Sequence, residues 1–171
     1  VSDEALRVVR GSARDLARLE PVWKALQAHH ARITPELGHS SARSPEESWR
    51  RRVRKYASWI EEPDTFVLLA ERGELLVGYA FVTVGPGLAS WATGDRVAAL
   101  ETLSVIPEAR GSGVGTALLD AVDERLADLG VHELMLTAAN ANADAHRFYE
   151  RRRLAPVFRV FYGRAGESPP S

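Results

Sequence analysis

The sequence predicts a mixed α/β fold in one domain, and three observations carry that prediction. Short runs rich in β-branched and aromatic residues, such as Thr65 to Ala70, alternate with longer stretches of helical periodicity, such as Ser44 to Ile60. Two neighbouring strand-like runs, Thr65 to Ala70 and Leu75 to Val84, are joined by the short link Glu71-Arg72-Gly73-Glu74, as in a hairpin. A β-like run from Val97 to Val105 then passes through a glycine-rich turn into an amphipathic helical run from Gly113 to Leu129. A chain of 171 residues is long enough to bury about two-thirds of its surface as one domain. We delimit that domain as 1–165, with 166–171 as a frayed tail.

In chain order, Leu6 to Val9 reads as a short opening strand. A helix follows from Asp15, is interrupted or kinked near Pro21, and resumes through Val22, Trp23, Ala25 and Leu26 toward Ile33. Pro35 to His39 is a break. Ser44-Pro45-Glu46-Glu47 combines an N-cap serine, a proline at the first helical position and a glutamate at the third, so a helix starts there and runs to Ile60. After the hairpin, Gly85-Pro86-Gly87 opens a loop that lasts to Asp95. The central strand, the glycine turn and a helix ending at Gly130 come next. Glu133 to Ala138 reads as a strand, Asn142 to Arg152 as a helix, and Pro156 to Gly163 as a final strand. No internal repeat or linker interrupts this order.

Bulk composition narrows the classes of function. With 45% apolar and 26% charged residues the chain is an ordinary globular protein. A formal charge of −1 argues against nucleic acid as the main partner. The arginine triplets at 50–52 and 151–153 read as solvated helix faces. The absence of cysteine excludes disulfides, a cysteine nucleophile and thiolate metal sites. His29 and His30 are adjacent, so on a helix they point about 100° apart, and no metal site is expected. No apolar run reaches the length of a membrane span, and the N-terminus lacks a signal peptide's basic and apolar regions, so no membrane partner and a cytoplasmic protein are expected.

The most informative stretch is Leu103 to Thr116. A glycine-rich turn that opens a helix leaves backbone N–H groups unpaired at the positive end of the helix dipole, a seat for phosphate oxygens. Gly111, Gly113 and Gly115 let a diphosphate approach the main chain, and Arg110 adds a fixed positive charge. Spacing separates the families that use such a turn. A P-loop is excluded because no Gly-Lys-Ser/Thr occurs. A dinucleotide fingerprint is met at Gly111 and Gly113, but Thr116 stands at its third glycine; Glu133 lies at a suitable distance downstream, so spacing alone leaves this reading open.

A third pattern, Arg/Gln-x-x-Gly-x-Gly/Ala, is matched in full by Arg110-Gly111-Ser112-Gly113-Val114-Gly115. Upstream, Leu100-Glu101-Thr102-Leu103-Ser104-Val105 alternates and is followed by Pro107; downstream lie Asn142, Ala145, Phe148 and Tyr149 in order. In these motifs the chain resembles the GCN5-related N-acetyltransferase (GNAT) superfamily over Val97 to Leu154, with one departure: Arg153-Leu154 replaces the Gly-Phe that often follows the tyrosine helix. The resemblance implies a GNAT-like fold, a mostly antiparallel twisted sheet with a splayed parallel strand pair flanked by helices.

It also implies acetyl-CoA as acyl donor, a small-molecule primary amine as acceptor, and direct attack in a ternary complex. The strand residues Leu103, Ser104 and Val105 would meet the thioester and pantetheine arm, largely through backbone groups. Arg110, Gly111, Ser112, Gly113, Val114, Gly115 and Thr116 would hold the diphosphate. The 151–153 arginines are open to a role at the coenzyme's outer phosphate. Glu101 is the candidate general base, against the alternative of a strand-edge carboxylate paired with Arg96 or another arginine. Tyr149 is the candidate acid or sulfur-binding group, against a role in the core. Asn142 either bonds the coenzyme arm or caps its helix, and the two roles are compatible. Trp23, His29, His30, Glu36, Trp91 and Asp95 would wall the acceptor pocket. The resemblance further implies a homodimer, with Pro156 to Gly163 as a contact surface. Two rivals stay open: a non-catalytic acyl-CoA-binding or sensing module on the same fold, and a nucleotide or dinucleotide binder.

Overall fold

A computed structural model describes residues 4–34, 36–37 and 40–166. A five-stranded sheet is built from β1 (Leu6–Arg10), β4 (Phe66–Arg72), β5 (Leu75–Pro86), β6 (Arg96–Val105) and β7 (Leu134–Leu136), in the order β1-β4-β5-β6-β7. The first four strands pair antiparallel, and only β6 and β7 run parallel. The tiny strands β2 (Glu36–Leu37) and β3 (Ser40–Ser41) form a separate pair within and just after the expected break. This is the expected mostly antiparallel sheet with one parallel pair. It departs from a dinucleotide fold, which requires a mostly parallel, doubly wound sheet, so that reading is overturned.

Helices cover both faces. On one, α3 (Val114–Asp128) packs Val114, Leu118, Leu119, Val122 and Leu126 against Phe66, Leu68, Val77, Ala80, Val82, Ala98 and Leu100. On the other, α1 (Glu20–Ile33) and α2 (Pro45–Trp59) bury Val22, Trp23, Trp49 and Tyr56 against Val67, Leu69, Tyr79 and Phe81. Coverage on both sides explains why β4 is buried from Phe66 to Glu71 rather than alternating. The buried Glu71 carboxylate is paired twice, with Arg18 at 2.6 Å and Arg7 at 3.3 Å.

Most boundaries follow local chemistry. The Ser44 hydroxyl accepts from Glu47 N–H at 3.2 Å and opens α2 as its sequence requires. Around Pro21 the expected interruption is a change of helix type: a 3₁₀ segment, Ala13–Leu19, gives way to α1, with Pro21 in the first turn, where its missing N–H costs nothing. The last helix, α4 (Ala143–Arg151), is capped by Asn142.

One expected element is absent. Residues 156–163 form no strand: among the described residues the sheet edge on that side is the three-residue β7, and an apolar run without a partner has no ladder to join. Val157, Phe158, Val160, Phe161 and Tyr162 are exposed there, with Phe158 edge-on to Trp91 at 5.8 Å. The expected tail lies, from residue 167 onward, outside the described residues.

Candidate active site

Parallel pairing between β6 and β7 is brief. It covers only Ala98 with Leu134, Ala99 with Met135 and Leu100 with Leu136, while β6 runs on to Val105. Beyond Leu100 the two strands part, and the β6 edge from 101 to 105 is left open on that side. A bulge sits where they part: Phe81 faces Thr102 and Val82 faces Leu100, so Glu101 has no partner on β5. The bulge resets the alternation. Ala98 and Leu100 face α3, and Leu103 and Val105 pack on that same cluster, whereas Thr102 and Ser104 turn to the α1–α2 face. The Val105 carbonyl accepts from Arg110 Nε at 3.2 Å, which marks the open edge, and Leu103, two residues back, directs its backbone the same way.

Ser104 is turned away from the opening. It stands opposite Tyr79 in the β5 ladder, and its buried hydroxyl donates to the Val22 carbonyl at 3.1 Å, tying β6 to α1. Its side chain therefore belongs to the α1–α2 face of the sheet.

The glycine turn lies at the end of this open edge. Gly111 and Gly113 have φ of +72° and +85°, the left-handed region that favours glycine, and a Cβ at either would point into open space. Gly113 caps α3 without any side-chain bond, and the first helical bond runs from Ala117 N–H to the Gly113 carbonyl at 2.9 Å. The N–H groups of Val114, Gly115 and Thr116 precede that bond and so have no intrahelical acceptor. Thr116 is exposed on the same first turn. Two cations flank it: Arg110, and Arg72, whose guanidinium donates to Ser112 Oγ at 2.9 Å. Ser112 Oγ in turn donates to the Ala109 carbonyl at 2.8 Å. Arg72 has no sequence signal, since it sits forty residues away in the β4–β5 hairpin. The turn has the chemistry of a diphosphate seat: uncapped amides, room for an anion, and guanidinium groups at its rim.

The opposite wall is α4. Asn142 Oδ1 accepts from Ala145 N–H at 3.2 Å, so its capping role is realised. Phe148 lies against α3, where a Cβ on Gly115 would meet its ring at an ordinary 3.4 Å. Tyr149 packs partly buried on the α3 cluster, and its hydroxyl has no hydrogen-bond partner among the described residues. Burial pushes its phenol up to about 12, so it stays protonated through neutral pH. The nearby Arg152 is not free for an outer phosphate: it pairs with Asp120 at 2.6 Å and Asp123 at 3.0 Å and clamps α4 to α3.

Glu101 faces the α1–α2 side, where Thr83 Oγ1 donates to its Oε1 at 3.0 Å. Arg96, the alternative partner, is engaged elsewhere, with Asp64 at 2.5 Å and with the Leu129 carbonyl. Thr83, Trp59, Glu62, Asp64 and Arg96 line a cleft of about 490 Å³, and Thr83 is the lining residue that bonds Glu101. Next to it, the buried Tyr56 hydroxyl lies 2.6 Å from Thr102 Oγ1 and 3.0 Å from the Tyr79 hydroxyl. Burial raises both phenols, so this cluster is neutral hydrogen-bonding scaffold.

The residues expected to wall an acceptor pocket do not converge. Trp23 is buried, its indole N–H donating to Ser48 Oγ at 3.2 Å. His29 and His30 border Arg110, and both imidazoles are lowered by burial first, His29 next by the Arg110 charge and His30 next by His29 and then Arg110. Trp91 is 60% exposed against Phe158, and Asp95 contributes a backbone carbonyl to Gly87 N–H at 2.8 Å. The Glu36 side chain lies outside the described residues. Among the described residues no helix is long and apolar enough to cross a membrane.

Residues 23–153 match the model of the Acetyltransferase (GNAT) family. The chain is 34% identical over 133 residues to the mycothiol acetyltransferase of Thermobispora bispora, covering 78% of this chain and 42% of the relative. It is 32% identical over 154 residues to the mycothiol acetyltransferase of Propionibacterium freudenreichii, covering 90% and 44%. The chain thus spans less than half the length of these curated relatives. Among solved structures it resembles a GCN5-related N-acetyltransferase from Ralstonia eutropha, with a TM-score of 0.75 at 16% identity over 95% of this chain and 100% of the other. An aminoglycoside N-acetyltransferase in complex with CoA gives a TM-score of 0.70 at 14% identity over 96% and 97%. At such identities these structures speak to the fold alone.

Proposed function

The chain belongs to the Acetyltransferase (GNAT) family, and on that premise we propose that it transfers an acetyl group from acetyl-CoA to a primary amine of a small molecule by direct attack. The observation that carries this reading is the parting of β6 from β7 beside the uncapped first turn of α3. When bound, acetyl-CoA supplies an acetyl group activated as a thioester. The amides of Val114, Gly115 and Thr116, with Arg110 and Arg72, hold its diphosphate; one helix-terminus charge interaction contributes only about 0.3–1 kcal/mol, so several must converge. The open backbone of Leu103 and Val105 pairs with the extended arm. The Val105 N–H then lies where negative charge builds on the thioester oxygen.

Glu101 accepts the proton of the attacking amine, directly or through water, and Thr83 holds its carboxylate in place. Tyr149 serves the departing sulfur. A phenol at about 12 lies above a thiol of about 8.5, so complete proton transfer is uphill by roughly 4.8 kcal/mol. Its role is therefore to donate a hydrogen bond to the thiolate while keeping its own proton. Tyr149→Phe is expected to lower kcat by about 10- to 100-fold, with acetyl-CoA affinity within about twofold. Calorimetry beside steady-state kinetics checks this, and a non-catalytic binding module would show no turnover to lose.

The general test is free-thiol release from acetyl-CoA over a panel of small amines. Release above the hydrolysis rate supports acetyl transfer, and none with any amine or acyl chain rejects it. The exposed apolar row from Val157 to Tyr162 also supports a homodimer across that segment. Light scattering is expected to give twice the chain mass, and Phe161→Asp is expected to return it to one.

A further inference from the structure

Arg52 differs from its neighbours in the basic stretch of α2. Arg51 is held by Glu47 at 3.0 Å, whereas Arg52 turns inward and is half-buried. Its guanidinium carbon lies 4.3 Å from the Trp23 ring centroid, 5.6 Å from Tyr56 and 5.9 Å from Trp59. Among the described residues it has no ion pair and no hydrogen-bond partner. Stacking engages the face of a guanidinium and leaves its five N–H donors unused. Lys55 Nζ approaches the same Trp59 ring at 5.7 Å, also without a carboxylate. Two cations therefore gather on one aromatic wall with no carboxylate paired to either among the described residues.

That wall belongs to the acceptor side. Trp59 lines the cleft whose Thr83 donates to Glu101, and Tyr56, beneath Arg52, is bonded to Thr102, the next residue along. Trp59 is thus shared by the aromatic wall under Arg52 and by the cleft. We propose that Arg52, supported by Lys55, binds an oxyanion of the acceptor, so that the substrate is an amine carrying a carboxylate or phosphate group. The proposal rests on the acetyl-transfer reading. An acceptor of this kind is held at both ends: its oxyanion accepts charge-assisted bonds from the planar guanidinium, and its ammonium faces the Glu101 carboxylate. A second ammonium in place of the oxyanion would be repelled by the two cations.

The test is thiol release with four amines of equal length: an ω-amino carboxylate, its carboxamide, an aminoalkyl phosphonate and a diamine. The carboxylate or the phosphonate is expected to exceed the carboxamide and diamine by about tenfold or more in kcat/KM, and the better of the two identifies the oxyanion. Arg52→Gln should lower the anionic substrate by about 10- to 100-fold and leave the carboxamide within about twofold, with partial recovery in Arg52→Lys. The proposal is overturned if the carboxamide or diamine matches the anionic amines, or if Arg52→Gln lowers all four alike. If no amine releases thiol, the acetyl-transfer reading fails by itself. Calorimetry of the carboxylate and phosphonate with CoA present then decides Arg52 separately: weaker binding to Arg52→Gln than to wild type supports it, and equal or absent binding to both overturns it.

Discussion

Glu101→Gln is expected to lower kcat at pH 7 by about 10²–10⁴-fold, the range for loss of a positioned general base. The size follows from the acceptor. An alkylammonium with a pKa of about 10.4 is only about 0.04% neutral at pH 7, a penalty of roughly 4.6 kcal/mol that a nearby carboxylate offsets as attack proceeds. The amide keeps the shape and can still meet Thr83, so folding and coenzyme affinity should survive. The pH profile discriminates. Without the carboxylate the enzyme depends on amine that is already neutral, so the mutant rate should climb about tenfold per pH unit toward the amine's own pKa, and the gap to wild type should narrow. A merely structural Glu101 would give a constant deficit at every pH. The bulge at Glu101 is central here, because it frees this residue from the ladder, and Thr83, a cleft residue, holds its carboxylate.

Gly113→Val is expected to weaken acetyl-CoA binding by about 100-fold. At φ of +85° an ordinary L residue costs about 1–2 kcal/mol, and a β-branched one more. The backbone relieves that strain by rotating, which swings the Val114 and Gly115 amides off their common target. Each charge-assisted bond lost costs about 1.5–3 kcal/mol, and some 3 kcal/mol in all is roughly two decades in Kd. Gly115→Ala is the control: its Cβ would only touch Phe148 at 3.4 Å, so affinity should change by less than about threefold. Calorimetric titration of folded variants reads both. Equal affinities across the set would mean that the diphosphate does not sit on this turn.

The parts legible in sequence are those fixed by local chemistry. Ser44-Pro45 starts its helix because a hydroxyl cap and a ring without an N–H both act within one turn. The hairpin and the glycine turn were legible for the same reason: β-branched runs and positive-φ glycines state their own conformation. What escaped depends on partners far along the chain. Residues 156–163 are rich in β-branched and aromatic residues like a strand, yet a strand needs an edge to pair with, and β7 offers three residues. The side chain of Ser104 faces the α1–α2 layer, because the bulge two residues after Ala99 shifts the alternation by one. Arg72 reaches Ser112 across the sheet, and Arg52 is drawn inward by Trp23 from a helix 25 to 30 residues later; neither contact leaves a trace in spacing. Arg152, legible only as part of a basic run, proves to be a clamp between helices.

A crystal structure of the protein with acetyl-CoA decides where the diphosphate sits. Diphosphate oxygens are expected within hydrogen-bonding distance of the Val114, Gly115 and Thr116 amides, with the thioester between the open edge of β6 and the Tyr149 hydroxyl. Coenzyme bound anywhere else, with that first turn bare, would contradict this placement.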